Sequence, residues 1–444
     1  MGYTSRRGRR PSEFASKSSH SHVVQDPLVQ AFLTKCNLPK PAGEVRLAEH
    51  RCIPFTPVKD NPIRYVIAID GGYSEVAVRK EFPSATLCFL QFGALIFSIA
   101  DLDGLGDQPF IDPDDMAKLK RIQRLKLILP IRNVSLQSEG SLTKSIRRSI
   151  YDFFRQNMDD GGLIDTLRWF LFQEYANPQP TWGLASCPLC AARDIPIHRE
   201  NLSREHTCQC SACGGELFLT DVFRLHEVID DELGAGEIVG YMTTTIEQFI
   251  LAHLIRLLLK TKPVLLRQIL FVKDGPLAFF GQTANMHQPM RTLVAFLFQR
   301  HDLHLAGLEK SGPFVEHADE IRDLLDPGSV LLLDDPYIYR YVLPAKGEAK
   351  HPYGSSTYYS QKLIFKTPGS QVYIVSLPTA AAVPRPTEGD IRNLQSILTN
   401  VEKLRCDMYD NALVPVALVN KLVSLANHPS SRILQKFAKD SLGK

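Results

Sequence analysis

Two apolar segments of this chain each run directly into an Asp-Gly pair: IRYVIAIDGGYSE (residues 63–75) and QILFVKDGPLAFFGQ (residues 268–282). Short runs rich in Ile and Val, followed by Gly, are typical of buried strands that end at the rim of a sheet. We therefore predict one strand that ends at Asp70 and another that ends at Asp274. Neighbouring strands lie about 4.8 Å apart. If these two strands are neighbours, their carboxylates can share divalent cations, as in two-metal phosphodiester hydrolysis.

The composition predicts a sizeable globular protein. The chain has 444 residues, of which 44% are apolar and 22% charged, which favours two or three packed units over disorder. No run approaches the roughly 18 uninterrupted apolar residues that span a bilayer, so we expect no membrane segment and a cytoplasmic location. The formal net charge of +3 is too small to indicate nucleic-acid binding by itself.

The order of predicted elements indicates an α/β sheet interrupted by an insertion. Helical spacing is expected at residues 112–127, 142–158, 161–176 and 242–260, and strands are expected through residues 85–99 and again from residue 268 onward. The predicted regions are a disordered basic arm (residues 1–22), the first part of the core with a helical region (23–180), a cysteine-rich insertion (181–220), the second part of the core (221–380) and a helical region (381–444).

Five of the nine cysteines fall in the insertion. Cys187 and Cys190 form one CxxC pair, Cys210 and Cys213 form another, and 19 residues separate the pairs. This spacing predicts a structural zinc ribbon, because each pair can turn two thiolates toward one tetrahedral Zn²⁺ and four thiolates leave no position for water. Three other residues offer alternative ligands: Cys208, His206 and His198. The alternative hypothesis is that these cysteines are redox-active or free and bind no metal.

A two-metal site needs a third carboxylate, and Glu247 in the predicted helix 242–260 is the best candidate. The alternative for Glu247 is an exposed helix position near an N-terminus, where the helix dipole favours acids. Asp334 and Asp335 also follow an apolar strand and are reserve ligands, although a turn suits them better. Carboxylate ligands favour Mg²⁺ or Mn²⁺ over zinc at such a site.

The succession of IAIDGGYS, an acid-bearing helix, FVKDGPL, GLEKSG and SQKLIF resembles the NurA family of DNA repair nucleases over roughly residues 63–425. The resemblance implies an RNase H-like mixed sheet flanked by helices, dependence on Mn²⁺ or Mg²⁺, a homodimer, and work with a HerA-type hexameric ATPase. By position, Asp70, Glu247 and Asp274 match the metal-binding acids of the family. Lys310 matches a lysine that could hold the scissile phosphate, and Lys362 is a weaker match of that kind.

One part of the chain departs from the family pattern. A C-terminal Tyr-Pro pair followed by an Ala-His pair corresponds here to residues 413–422, which places Val414 and Leu422 where the family has Tyr and His. His428 and Tyr409 lie nearby as substitutes. The predicted function is therefore a metal-dependent DNA nuclease in end processing or defence, and two alternatives stay open. One is a catalytically weak scaffold that recruits a partner through its zinc ribbon, and the other is a nuclease that acts on RNA.

Overall fold

The computed structural model describes most of the chain between residues 23 and 442. The described ranges are 23–36, 40–47, 50, 52–79, 83–100, 124–156, 161–344, 352–406, 409, 411–425 and 430–442. The predicted basic arm (residues 1–22) and most of the predicted helix 112–127 lie outside them.

The longer helices and all strands are numbered here in chain order. The helices are α1 Pro27–Leu33, α2 Leu142–Arg155, α3 Leu163–Leu171, α4 Ile238–Thr261, α5 His287–Arg300, α6 Pro313–Glu320, α7 Leu394–Lys403, α8 Val414–Val423 and α9 Ser430–Leu442. The strands are β1 Cys52–Pro54, β2 Tyr65–Arg79, β3 Ala85–Ser98, β4 Leu125–Arg132, β5 Thr181–Ser186, β6 Arg193–His198, β7 Thr207–Gln209, β8 Glu216–Phe218, β9 Ile269–Asp274, β10 His304–Glu309, β11 Ser329–Leu332, β12 Ser360–Lys366 and β13 Val372–Pro378.

Nine strands form one mixed sheet in the order β1-β11-β12-β13-β10-β9-β2-β3-β4. Within it, β4, β3 and β2 are antiparallel neighbours, whereas β2, β9 and β10 run parallel. A parallel pair needs a crossover connection, and the long stretch between β3 and β9 supplies it with α2, α3, the cysteine hairpins and α4. The predicted mixed sheet, flanked by helices, is confirmed.

Helices cover the two faces of the sheet with separate apolar cores. Ile67 and Ile69 of β2 pack into the cluster that contains α2, α3 and α4. Ala68 packs on the opposite face against α8, and Val66 packs against α7. Side chains alternate between the faces of a strand, so β2, which pairs with β3 and β9, contributes to apolar cores on both faces of the sheet.

Helix α4 is the one described helix that is long and apolar enough to cross a membrane, and 78% of its most apolar window is buried inside the protein. Its low amphipathicity agrees with this position, because a helix that is apolar all round is typical of a buried core.

Two predictions about elements are wrong, and two predicted helices are present. The strand that was expected to end at Asp70 continues to Arg79, because β3 pairs with it along its whole length. Residues 125–127, expected at the end of a helix, begin strand β4, which pairs with β3. The helices expected at 142–158 and 161–176 are present as α2 and α3.

Candidate active site and four-cysteine cluster

Asp70 and Asp274 lie beside each other on neighbouring parallel strands. The register pairs Ile69 of β2 with Lys273 of β9, so the next residue of each strand is an aspartate. Asp70 is 4% exposed. Burial, followed by the charge of Asp274, raises the pKa of Asp70 to about 6. As the pH rises through this value, Asp70 loses its proton, and its carboxylate can then bind a cation.

Asn420 holds the Asp70 carboxylate in place. Its Nδ2 donates a hydrogen bond to Oδ2 of Asp70 over 2.8 Å, and the backbone N–H of Gly71 donates to Oδ1 over 2.8 Å. Both hydrogen bonds lower the pKa of Asp70 against the effect of burial. Asn420 lies on α8, the helix of the C-terminal motif, and the sequence analysis did not identify it. The only local signal was one amide in an otherwise apolar stretch, VPVALVNKLV.

Gly71 and Gly72, which follow Asp70, leave room for other groups to lie close to β2. A Cβ on Gly71 would meet the ring of Phe92 at 2.6 Å and Oε1 of Glu247 at 3.1 Å, and a Cβ on Gly72 would meet the carbonyl oxygen of Val423 at 2.7 Å. The glycines therefore do not make a turn. They let Glu247 approach one face of β2 and the end of α8 approach the other.

Glu247 lies on α4 and reaches the site from the opposite face. Gly71 shares the α4 face with Ile69, whereas Asp70 shares the α8 face with Ala68. The described pairing of β2 with β9 ends at Ile69 and Lys273, and around this point Glu247 lies close enough to Asp70 and Asp274 to feel their charges. Burial raises the pKa of Glu247 to about 7. Lys273 acts against this shift, and the charges of Asp70 and Asp274 add to it.

Two lysine ammonium groups lie on these acids. Lys310, just beyond β10, places Nζ 2.5 Å from Oδ2 of Asp274 and is 28% exposed. Lys273 places Nζ 2.6 Å from Oε2 of Glu247 and donates to the backbone carbonyl of Asp274 over 2.6 Å. The sequence analysis identified Lys310 but not Lys273, because a lysine inside an apolar strand gives no sign of what it contacts.

The donor set fits a hard divalent cation. Asp70, Glu247 and Asp274 offer carboxylate oxygens, which suit Mg²⁺ and Mn²⁺, and cationic lysine groups already lie against two of them. The charge of Asp274 raises the pKa of Asp70, and the charges of both aspartates raise the pKa of Glu247, but the three acids do not form a closed cage. Across the described ranges, the four cysteines are the one group of three or more His, Cys, Asp or Glu residues whose ligand atoms all lie within 4.8 Å.

The reserve ligands have local structural roles. Oδ1 of Asp334 accepts a hydrogen bond from the backbone N–H of Tyr337 and caps a short helix, and Asp335 accepts one from the N–H of Tyr353. Lys362 is buried in an ion pair with Glu309, with Nζ 2.6 Å from Oε1, and its Nζ lies 3.9 Å from the ring centre of Phe314. Lys362 is therefore engaged within the core.

The places of the family Tyr and His are apolar packing positions. Val414 and Leu422 of α8 pack beside Ala68 and the other residues of that cluster. Of the two predicted substitutes, Tyr409 is 60% exposed, and His428 lies outside the described residues. Helix α8 instead contributes the side-chain amide of Asn420 to the site.

The four predicted zinc ligands come together at the turns of two hairpins. Cys187 and Cys190 lie between β5 and β6, Cys210 and Cys213 lie between β7 and β8, and their Sγ atoms are all within 4.8 Å of one another. Backbone N–H groups of Leu189 and Ala212 donate to Sγ of Cys187 and Cys210 over 3.4 Å. Such N–H donors favour thiolates, and four soft ligands at this spacing fit a zinc ion.

The alternative ligands lie elsewhere. His206 places Nε2 3.2 Å from a carboxylate oxygen of Asp165, and Nδ1 of His198 is 3.0 Å from Oγ1 of Thr181. Cys208 does not belong to the four-cysteine group. The CxxC spacing thus identified the geometrically complete set.

Comparison with known proteins gives structural alignments only. Neither a family model nor a curated protein matches the chain. The chain is similar to the crystal structure of the NurA nuclease from Sulfolobus solfataricus, at 10% identity over 97% of this chain and 98% of that one, with a TM-score of 0.35. It is also similar to NurA with manganese, at 12% identity over 97% and 100% with a TM-score of 0.29, and to NurA bound to dAMP and manganese, at 11% identity over 97% and 99% with a TM-score of 0.29. These alignments name the family that the sequence motifs resemble, and with TM-scores below 0.5 they carry no weight for function.

Proposed function

We propose that this chain is a Mg²⁺- or Mn²⁺-dependent nuclease that hydrolyses phosphodiester bonds of DNA. The observation that carries the proposal is the placement of Asp70 and Asp274 side by side at the end of β9, where the charge of Asp274 raises the pKa of Asp70 and both charges raise the pKa of Glu247. Buried acids with raised pKa values at one point of a sheet are unfavourable for stability alone and are typical of a functional site.

Each residue has a defined task in this proposal. Asp70, held by Asn420, and Asp274 are the main ligands, and Glu247, paired with Lys273, lines the pocket from the α4 face. These acids would hold the divalent ions, which would supply water activation and charge stabilisation for phosphodiester hydrolysis. Lys310 offsets the charge of the scissile phosphate, because its side chain is partly exposed and can leave Asp274 for a substrate.

The partners follow from the resemblance of the motifs. We propose DNA as the substrate, a HerA-type hexameric ATPase as the partner, a homodimer as the assembly and a cytoplasmic location. The four cysteines are proposed to hold a structural Zn²⁺ in a ribbon that stabilises the insertion rather than taking part in the chemistry.

The test is cleavage of linear DNA with Mn²⁺ by the zinc-loaded protein. We expect D70N and D274N to lose at least about 100-fold in rate, because each removes a charged ligand. D60N is the matched control, since Asp60 is an exposed aspartate away from the site. Full activity of D70N would contradict the proposal.

Two further outcomes separate the alternatives. A wild-type protein that binds Mn²⁺ but cleaves nothing would favour the scaffold, as the loss of the family Tyr and His predicts. Faster cleavage of a matched RNA than of DNA would replace the proposed substrate.

A further inference from the structure

Lys273 is the most deeply buried charged residue of the candidate site. Its side chain is 2% exposed, and its ammonium group has two short contacts: Oε2 of Glu247 at 2.6 Å and the backbone carbonyl oxygen of Asp274 at 2.6 Å. Glu247 is buried to a similar extent, at 5% exposed. A buried ion pair of this kind is costly to open, because either charge would be left without a partner in the interior.

Lys310 differs from Lys273 in its exposure to solvent, which decides whether another cation can replace its ammonium group. It contacts Oδ2 of Asp274 at 2.5 Å, but it is 28% exposed and can return to water when another cation arrives. Lys273 has no such route, because it lies in the middle of the sheet beside α4. One acid of the pocket therefore has a fixed counterion, and another has an exchangeable one.

We propose that Lys273 is a positioning residue that permanently neutralises Glu247, so that the free protein binds one divalent cation, between Asp70 and Asp274, and not two. This inference rests on the proposed nuclease function and specifies its metal stoichiometry. The ammonium group of Lys273 occupies the position between Glu247 and the end of β9 where a second ion would otherwise lie. Glu247 then shapes the charge of the site without being a ligand in the absence of substrate.

The formal charges of these residues support a fixed counterion for Glu247 and an exchangeable one for Asp274. Glu247 and Lys273 together are neutral, which leaves Asp70 and Asp274 as the free negative charges of the pocket once Lys310 has moved away. Two carboxylates match the charge of one divalent cation. A second cation would bring a net positive charge into a largely buried pocket unless it arrived with an anion such as a DNA phosphate.

The experiment is a Mn²⁺ titration of the zinc-loaded protein without DNA, at pH 8, by calorimetry and by the electron paramagnetic resonance signal of free Mn²⁺. The D70N/D274N double variant gives the background. We expect one site per chain in the wild type. D274N should weaken binding at least tenfold, whereas E247Q should change the Kd less than threefold.

Variants of the two lysines test the division directly. K310M, which removes the exchangeable cation, should still bind one ion and bind it several-fold more tightly. K273M should gain a second Mn²⁺ site, because Glu247 loses its counterion. Since K273M leaves a lone buried charge and can fail to fold, the E247Q/K273M double variant serves as its partner. It has no buried charge at this point and should bind one ion with the wild-type Kd.

The outcomes distinguish the inference from the proposed function. Two Mn²⁺ sites in the wild type, or an E247Q variant as weak as D274N, would overturn the role of Lys273 and leave the nuclease proposal intact. A wild-type protein that binds no Mn²⁺, or a D70N variant that cleaves DNA at the wild-type rate, would overturn both.

Discussion

Asp70 depends on a residue far from it in sequence. The amide of Asn420 donates to its carboxylate over 2.8 Å and lowers its pKa, while burial and Asp274 raise it. The balance leaves the pKa at about 6, in the range where small changes of environment alter the charge near neutral pH. The amide of Asn420 therefore offsets part of the effect of burial and of Asp274, and so contributes to the pH at which Asp70 becomes a carboxylate that can bind a cation.

We expect N420A to move the acid limb of the pH–rate profile to higher pH. Removal of the hydrogen bond lets the pKa of Asp70 rise above about 6, so that more of the acid is protonated at pH 6 to 7 and fewer molecules bind metal. The activity ratio of N420A to the wild type should therefore fall as the pH falls from 8.5 to 6. K421A, a change of an exposed neighbour on α8, is the control. A ratio that is independent of pH would contradict this role of Asn420.

At the scale of elements, the position of α8 depends on a glycine of β2, which has no side chain. The end of the helix lies against β2 where Gly72 has no Cβ, with the carbonyl oxygen of Val423 only 2.7 Å from the place where one would be. Gln91 of β3 donates to the carbonyl oxygen of Leu422 over 2.8 Å and ties the same end of the helix. The helix is thus held at the distance from which Asn420 reaches Asp70.

We expect G72A to destabilise the protein by about 1–3 kcal/mol, the usual range for overpacking. A Cβ at this point must push the backbone of α8 away, so Mn²⁺ binding should weaken as well. G240A is the matched control: Gly240 is an exposed glycine in α4 with nothing within 4 Å of its Cβ position, and alanine there should stabilise by up to about 1 kcal/mol. Urea unfolding measures the free energy of unfolding of both variants. Equal stability of G72A and the wild type would refute the close contact.

The cysteine hairpins share their core with the helices beside them. Cys187, Ile195, Cys210 and Leu217 belong to the same apolar cluster as α2, α3 and α4. Arg147 of α2 pairs with Asp221 just after the hairpins at 2.8 Å, in a buried contact. Loss of a metal at the cysteines is therefore expected to loosen the helix on which Glu247 lies.

We expect C187S and C210S each to abolish binding of one Zn²⁺ per chain and to lower the melting temperature, because the metal links the turns of two separate two-stranded hairpins. C208S should keep the metal, since Cys208 is outside the four-cysteine group. Elemental analysis and thermal unfolding measure these effects. A zinc content that falls in C208S as well would show a different ligand set.

At the scale of the whole molecule, the candidate site joins the two parts of the central sheet. Asp70 comes from the antiparallel part, β4-β3-β2, and Asp274 comes from the parallel part, β9-β10. The chain segment between them contains the cysteine hairpins and most of the helices on one face. A cation bound between these acids links segments that are distant along the chain, and its binding free energy adds to the folding of all of them.

We expect Mn²⁺ to raise the melting temperature of the zinc-loaded wild-type protein. At a free concentration of about 100 times the Kd, the gain is about 2.7 kcal/mol, which corresponds to a shift of several degrees for a chain of this size. D70N and D274N should show a clearly smaller shift at the same Mn²⁺ concentration, because their affinity is lower, whereas D60N should behave as the wild type. A shift of equal size in D70N would place the cation elsewhere.

The sequence by itself determined the local features. Runs of Ile, Val and Phe specify β2 and β9 because branched and aromatic side chains suit a buried strand. The CxxC pairs specify two thiolate turns because their spacing alone orients both sulfur atoms. Asp70, Asp274 and the four cysteines were identified for these reasons. Glu247 was chosen as a third carboxylate on a predicted helix and then matched through the resemblance to a known family, which alone identified Lys310.

Only the tertiary structure decided which side chains meet. Asn420 and Lys273 carry no sequence signal, because a single amide in a helix and a single lysine in a strand are common and their partners are chosen by packing. The continuation of β2 beyond Asp70 also depended on packing, since Gly71 and Gly72 read as a turn until β3 is paired along the strand. Local pattern reports what a segment can form, whereas the contacts of a buried polar group depend on which surfaces the complete fold brings together.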